Sequence, residues 1–395
     1  MIRVGFVGSG FAARFQYHSL RRVYDVPLEV SGVYSPTGEH REKFASERKI
    51  RAFDSLDALC DVSDVVTVCA PGALHEKVAV EVLRRGKHAI VEKPFTGYYG
   101  DASEDFRGDK FSKEVMLRES LASAQRMLEA ERASGKTIFY AEDWVYAPAI
   151  QKEREIIVKS GAQILWIIGG ESHSGSHSPF YGIWRFAGGG SLVGKGCHPL
   201  TAALYFKAQE GLARKGQAIR PVSVSCRTHD LTRLPAYRDL GTLRTDYHDV
   251  EDYCQVHVTF SDGTVADIFS TEVVLGGVHN WMEVFANNHR TRCNINPINA
   301  LTTYNAKEEY LKDVYVVEKI GTKQGWSNPA PDEDWMNGYI HEMQDFMECV
   351  AHGRAPLCGS ELGYDTVAAM YSAYLSAERK GAEVALPKAA SVKAS

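Results

Sequence analysis

Three short stretches of this 395-residue chain carry side chains whose types and spacing could do chemistry. The first is Gly8-Ser9-Gly10-Phe11-Ala12-Ala13, directly after the apolar run Val4–Val7. A strand that breaks into Gly-x-Gly-x-x-Ala and then a helix is the turn a dinucleotide pyrophosphate needs. Gly8 permits the bend and Gly10 lets the backbone approach. Ala13 seats the helix on the strand, and the N–H groups at Phe11 and Ala12 open the helix toward phosphate charge. The second stretch, Glu92-Lys93-Pro94, ends an apolar strand. Lys93 then lies at the carboxyl edge of a parallel sheet, where ligands bind in such folds. There it can hydrogen-bond a substrate hydroxyl or a cofactor ribose and place positive charge beside a developing alkoxide. The third runs from Trp184-Arg185 through Gly188-Gly189-Gly190 and Gly194-Lys195-Gly196-Cys197 to His198. A histidine titrates near neutrality and can take a hydroxyl's proton as hydride leaves the same carbon, although a histidine at a helix start is by itself more often structural.

These stretches must be positioned by regular elements. The pattern predicts strands at 2–7, 28–34, 64–69, 88–92 and 137–141, alternating with helices at 11–23, 39–47, 55–60, 74–85 and 115–134. Such alternation implies a parallel sheet with helices on both faces. A polar, glycine-containing insertion at 96–113 reads as a surface excursion in preference to a lid. Beyond a helix at 148–159, strand-like runs follow at 163–170, 222–228, 253–260, 264–271, 281–285 and 313–317 with no helices between most of them, so a mostly antiparallel sheet is expected. Helical spacing returns at 335–352 and 361–380. The fold class is an α/β Rossmann domain over 1–145, then an α+β domain with an open, mostly antiparallel sheet over 146–395, its C-terminal helices free to pack back on the first domain.

Bulk properties exclude other classes. The chain is 44% hydrophobic and 24% charged with a net charge of −5, which gives no reason to expect nucleic acid or an anionic membrane surface as partner. No apolar stretch approaches a membrane span, and no secretion signal is visible. Eight cysteines without a C-x-x-C pair read as reduced thiols, so a cytoplasmic location is expected, with no zinc site.

With the three stretches in hand, the chain resembles the glucose–fructose oxidoreductase/inositol dehydrogenase (Gfo/Idh/MocA) family over nearly its whole length. Ala70-Pro71-x-x-x-His75, Tyr146-x-Pro148 and His352-Gly353-Arg354-x-Pro356 add to the likeness. The resemblance implies NAD(P)-dependent oxidation or reduction of sugars, cyclitols and related polyols, by a homodimer or homotetramer. It matches Lys93 to the lysine of the family's Glu-Lys-Pro and His198 to the histidine of its Asp-x-Gly-x-His, with Ala70, Pro71, His75 and Glu92 on the cofactor side. It also exposes a departure. The family's aspartate is Gly194 here, and the acid usually found three residues after the histidine is Thr201. Lys195 stands beside the gap as a further cation and is counted with the catalytic groups. Glu142 and Asp143, just after the strand at 137–141, are candidates to replace the missing carboxylate.

At the end of the second strand Ser35 stands where an acid would bind ribose hydroxyls, and Arg41 is near, so NAD or NADP is expected, leaning to NAD. Glu142, Asp143, Tyr146, His173, His177, Tyr181, Trp184, Arg185 and His198 are the candidate substrate contacts, polar and aromatic groups suited to a hydroxylated ring. Glu171 with His173 and His177 matches no standard metal spacing, and no metal is expected. His279-Asn280-Trp281, which interrupts a strand-like stretch, is a further site candidate. The expected activity is hydride transfer to or from a secondary alcohol of a sugar, cyclitol, sugar derivative or glycoside. The alternatives are a redox-neutral enzyme that recycles bound NAD for epimerisation or elimination, and a non-catalytic dinucleotide/sugar sensor.

Overall fold

The protein was analysed as a computed structural model, which describes residues 1–387 except 102, 177 and 297–298. Strands β1 (Ile2–Val7), β2 (Leu28–Tyr34), β3 (Ala52–Phe53), β4 (Val65–Val68), β5 (His88–Glu92) and β6 (Ile138–Ala141) form one parallel sheet in the order β3-β2-β1-β4-β5-β6. All four residues of central β4 are buried, as a parallel strand covered on both faces requires, and all four of edge strand β6 are buried too, its open side met by the chain at Cys358, whose carbonyl accepts the Tyr140 N–H at 3.1 Å. Helices α1 (Phe11–Leu20), α2 (Gly38–Arg48), α3 (Leu56–Asp61), α4 (His75–Arg84) and α5 (Lys113–Ser134) connect them. The strand order reverses between β1 and β4, so a crevice opens at their carboxyl ends.

The chain crosses into the second half through the short helix α6 (Asp143–Tyr146) and α7 (Pro148–Ser160). Next come β7 (Ile164–Ser172), α8 (Trp184–Ala187) and a π-helical turn over 192–196 that runs into α9 (Cys197–Lys215). Strands β8 (Pro221–His229), β9 (Tyr253–Phe260), β10 (Val265–Thr271), β11 (His279–Ala286) and β12 (Arg290–Asn296) follow. After a small hairpin of β13 (Thr303–Asn305) and β14 (Gly325–Ser327) come α10 (Glu333–Asn337), α11 (Tyr339–His352), α12 (Ser360–Glu378) and β15 (Val384–Ala385). The second sheet has the order β12-β11-β7-β10-β9-β8-β15, with β7 and β10 parallel and every other pair antiparallel. In β9 and β10 buried and half-buried residues alternate strictly, so this sheet buries one face only. Helices α11 and α12 pack back on α1 and α5 of the first sheet's layer.

Three expectations need correction. The stretch 313–317 forms no strand; it leaves a turn, and its Val316 and Val317 are buried while Val314 and Tyr315 are exposed. The sheet edge next to β11 is instead β12, whose charged Arg290 and Arg292 conceal the inward pair Cys293 and Ile295. His279-Asn280-Trp281 does not interrupt a strand but begins β11. The 96–113 insertion is no free excursion. Tyr98 donates its N–H to Tyr371 Oη at 2.8 Å and accepts Trp184 Nε1–H at 2.9 Å, and the Gly108 N–H donates to Asp249 Oδ2 at 2.7 Å. It is a strap tying the first sheet to the helices of the second half.

Tyr146 is part of the same stitching. Its hydroxyl donates to Asp345 Oδ2 at 2.8 Å and accepts the Cys358 N–H at 3.1 Å, all buried. Removing it strands two buried partners, so Tyr146→Phe should lower stability by about 1–3 kcal/mol. A urea denaturation midpoint measured with and without the substitution checks this.

Candidate active site

Gly8 has a φ of +104°, and a Cβ there would stand 2.5 Å from the Cys69 carbonyl oxygen, so only glycine lets β1 turn beside the end of β4. Gly10 is the opposite case. A Cβ would meet nothing within 4 Å, which leaves an open cradle at the N-terminus of α1. From that cradle a groove of about 1740 Å³ runs along Gly8, Gly10, Tyr34, Ser35 and Thr37. The carboxyl ends of the strands and the free helix N-terminus therefore fit a dinucleotide. At the end of β2, the Arg41 guanidinium is bonded to Asp54 at 2.7 Å and to the Ser35 carbonyl at 3.3 Å.

A second cavity of about 610 Å³ continues from the first between the two sheets. Phe11, Ala12, Ala70, Pro71, His75, Glu92 and Lys93 line it from the first sheet; Asp143, Glu171, His173, Tyr181, Gly194 and His198 line it from the other side. His75 is fixed by its ring nitrogens on the carbonyls of Pro94 (2.8 Å) and Ala70 (2.9 Å), and burial lowers its pKa. Glu92 accepts Gln16 Nε2–H at 2.7 Å, and burial pushes its carboxyl up to about 7.

The centre of the cavity is built by the glycine run. Glu251, itself buried, accepts the N–H groups of Gly190 (3.1 Å) and Leu192 (3.0 Å) and the Tyr374 hydroxyl (2.9 Å). A Cβ on Gly190 would stand 2.6 Å from the Glu251 carboxyl carbon, hence glycine at that position. The backbone then enters the π-helical turn, a distortion that often marks functional sites, and the turn aims the Gly194 carbonyl at Lys93. Lys93 Nζ donates to that carbonyl at 2.8 Å. Burial opposes its charge, but Tyr181, Cys197, Glu171 and Glu142 outweigh burial and keep Lys93 protonated.

His198 opens α9 with its ring stacked on Trp144, centroids 6.1 Å apart at 22°. Its Nδ1 is hydrogen-bonded to the fully buried Glu142 carboxylate and lies 3.1 Å from Asp143 Oδ1. Its Nε2 lies 4.0 Å from Glu171 Oε2. Burial opposes the imidazolium, yet Glu142 first, then Cys197 and Glu171, raise its pKa well above the ordinary histidine value. Glu142, Cys197 and His198 could share a cation, their ligand atoms lying within 4.8 Å of one another. With Nδ1 already on Glu142 and burial pushing the Cys197 thiol up to about 11, the group as it stands holds protons.

Other candidates fall elsewhere. Lys195 forms a buried ion pair with Glu272, which also accepts the Tyr247 hydroxyl at 2.9 Å, and it is not on the cavity wall. Tyr146 is spent on Asp345 and Cys358. Trp184 is buried on Tyr374, and Arg185 reaches the Ser103 carbonyl and lies over Phe106; neither lines the cavity. His177 lies outside the described residues. Conversely, Gln16, Asn296, Lys319 and Tyr339 belong to the site without having been singled out. Gln16 is the one with a sequence signal, a polar residue among the inward positions of α1.

Residues 2–107 match the Gfo/Idh/MocA family model, described as "Oxidoreductase family, NAD-binding Rossmann fold". That match spans 106 of the 395 residues. UDP-N-acetylglucosamine 3-dehydrogenase of Acidithiobacillus ferrooxidans is 35% identical over 95 residues, 24% of this chain and 29% of that protein. Glucose-6-phosphate 3-dehydrogenase of Bacillus subtilis is 29% identical over 103 residues, 26% of this chain and 29% of that protein. The sequence likeness thus spans under a third of the length of these two relatives. Fold similarity extends further. GenD2 from gentamicin A biosynthesis, solved in complex with NAD, superposes with a TM-score of 0.77 at 20% identity, covering 98% of this chain and 96% of that one. A probable dehydrogenase from Thermotoga maritima gives 0.73 at 17% identity over 97% and 98%. Among the described residues no helix is long and apolar enough to cross a membrane.

The Glu142–His198 pair gives a direct test. Removing the carboxylate charge with Glu142→Gln should lower the His198 pKa. An NMR titration of the His198 imidazole in both proteins would register the downward shift.

Proposed function

We propose that this protein is an NAD(P)-dependent dehydrogenase acting on a secondary alcohol of a sugar, cyclitol or related compound. The observation that carries the reading is the arrangement at the cavity centre. His198 is held from behind by Glu142, and its Nε2 side and the Lys93 ammonium both belong to one cavity that continues from the dinucleotide groove. The names of the relatives, all dehydrogenases of sugars or an inositol where an activity is given, agree with it.

The bound nicotinamide supplies the hydride acceptor or donor. The remaining tasks fall to this chain. In oxidation, His198 Nε2 takes the hydroxyl proton while Glu142 stabilises the imidazolium that results. Lys93, with one N–H fixed on the Gly194 carbonyl and the others available, stabilises the oxygen as it gains negative charge. The carboxylate missing at Gly194 is replaced in two parts, its charge by Glu142 and its hold on Lys93 by the backbone carbonyl. Lys195, ion-paired with Glu272, reaches the cavity only at second hand, its Nζ donating to the Ser176 hydroxyl on the lining at 3.4 Å. Arg41, engaged by Asp54, is not free for a 2′-phosphate, so NAD is the preferred cofactor.

Reduced-nicotinamide absorbance with NAD or NADP and a panel of polyols, sugars and glycosides tests the proposal. Absence of turnover with every member, despite cofactor binding, would refute it. Lys93→Met should lower kcat by roughly 10²- to 10³-fold. Because the His198 pKa is raised, the neutral base needed for oxidation accumulates only as pH climbs. Oxidation should therefore rise toward alkaline pH and carbonyl reduction fall. Glu142→Gln should move both limbs to lower pH.

A further inference from the structure

One wall of the cavity offers acceptors without donors. Glu171 on β7 and Asn280 on β11 are direct cross-strand partners on the cavity face, 8% and 7% exposed. Across from them Glu342 on α11 also lines the cavity and is 2% exposed. Glu171 Oε2, Asn280 Oδ1 and Glu342 Oε2 are all buried and have no hydrogen-bond partner. Tyr99 Oη and Asn337 Oδ1 elsewhere on the lining are unpartnered too, but only Glu171 and Asn280 stand side by side on one strand pair. Buried polar atoms are almost always paired, so these two adjacent acceptors mark where a ligand's donors complete the structure.

The charges around them point the same way. Five carboxyls line the cavity, those of Glu92, Asp143, Glu171, Glu318 and Glu342, against Lys93, Lys319 and His198, and burial pushes Glu92 up to about 7 and Glu342 well above its ordinary value. The two lysines are engaged with the carbonyls of Gly194 and Gly175. His198, the nearest cation to Glu171 Oε2 at 4.0 Å, is already paired with Glu142. Burial pushes Glu171 up to about 7, despite the opposing pull of His198 and Lys93. A neutral hydroxyl brings one donor and lone pairs of its own. An ammonium brings three donors, no acceptor and a positive charge that holds the Glu171 carboxyl in its ionised form.

We infer that the substrate carries a protonated amine, bound between Glu171 and Asn280. The substrate class is thus an amino sugar or aminocyclitol. This rests on the reading of the cavity as an alcohol dehydrogenase site. The amine occupies the sheet wall while the reacting hydroxyl faces His198 and Lys93.

The test uses NAD-loaded enzyme and matched pairs, glucosamine against glucose and scyllo-inosamine against scyllo-inositol, with N-acetylglucosamine as the uncharged amide control. Both turnover and equilibrium binding are measured. The amine of at least one pair should exceed its neutral partner roughly 10- to 100-fold in kcat/KM, the range of a charge-assisted hydrogen bond. Glu171→Gln should bring that ratio toward one. Neutral members turned over as well as the amines would overturn the inference and leave the dehydrogenase reading intact. Amines that bind selectively without turnover would uphold the amine site and overturn the dehydrogenase reading. Failure of every member to bind or react would overturn both. Should Glu171→Gln not fold, judged by NAD binding, the ratio in the unmodified protein decides alone.

Discussion

The buried contact between Glu142 and His198 is the constraint around which the rest is arranged. Glu142 follows the last strand of the parallel sheet, and His198 stands in the first turn of a helix that covers the second sheet. A fully buried carboxylate is tolerable only with a hydrogen-bonding partner, and a buried imidazolium only against a carboxylate. Each half of the chain therefore stabilises a group that the other half could not hold alone. The pair fixes how the two halves face each other at the point where the cavity lies.

Gly194 carries no acid. The π-helical turn presents its carbonyl to Lys93, and the carboxylate that meets His198 comes from Glu142 at the end of β6. The Glu251 carboxyl anchors the turn through two backbone N–H groups, so the geometry depends on a residue some sixty positions away.

Much of this was legible in the sequence. The Gly8–Ala13 turn, the Glu92-Lys93 strand end and the run into His198 are local signals, each with its chemistry written in adjacent residues. Glu142 and Asp143 could be named because they follow a predictable strand. The failures were non-local. Lys195, Tyr146 and Arg185 carry suitable groups near the right places in the chain, but a one-residue step around a helical turn faces Lys195 toward Glu272 instead of the cavity. Strand β12 was hidden because its outward arginines dominate its composition, whereas Val314–Val317 looked like a strand without a neighbour to pair with. The acceptor row of Glu171 and Asn280 exists only once β7 and β11 are in register, which no single stretch of sequence discloses.

The strap at 96–113 and the return of α11 and α12 have a consequence for how the molecule comes apart. The first sheet's outer helices are covered by residues from the far end of the chain, and Tyr371, Asp345 and Cys358 bond directly to the first half or to the crossover. The two sheets thus share one cooperative unit. Local opening at the chain's C-terminal helices uncovers the cofactor layer as well, so the dinucleotide domain is not an independent module that can be excised at the crossover or grafted elsewhere without them.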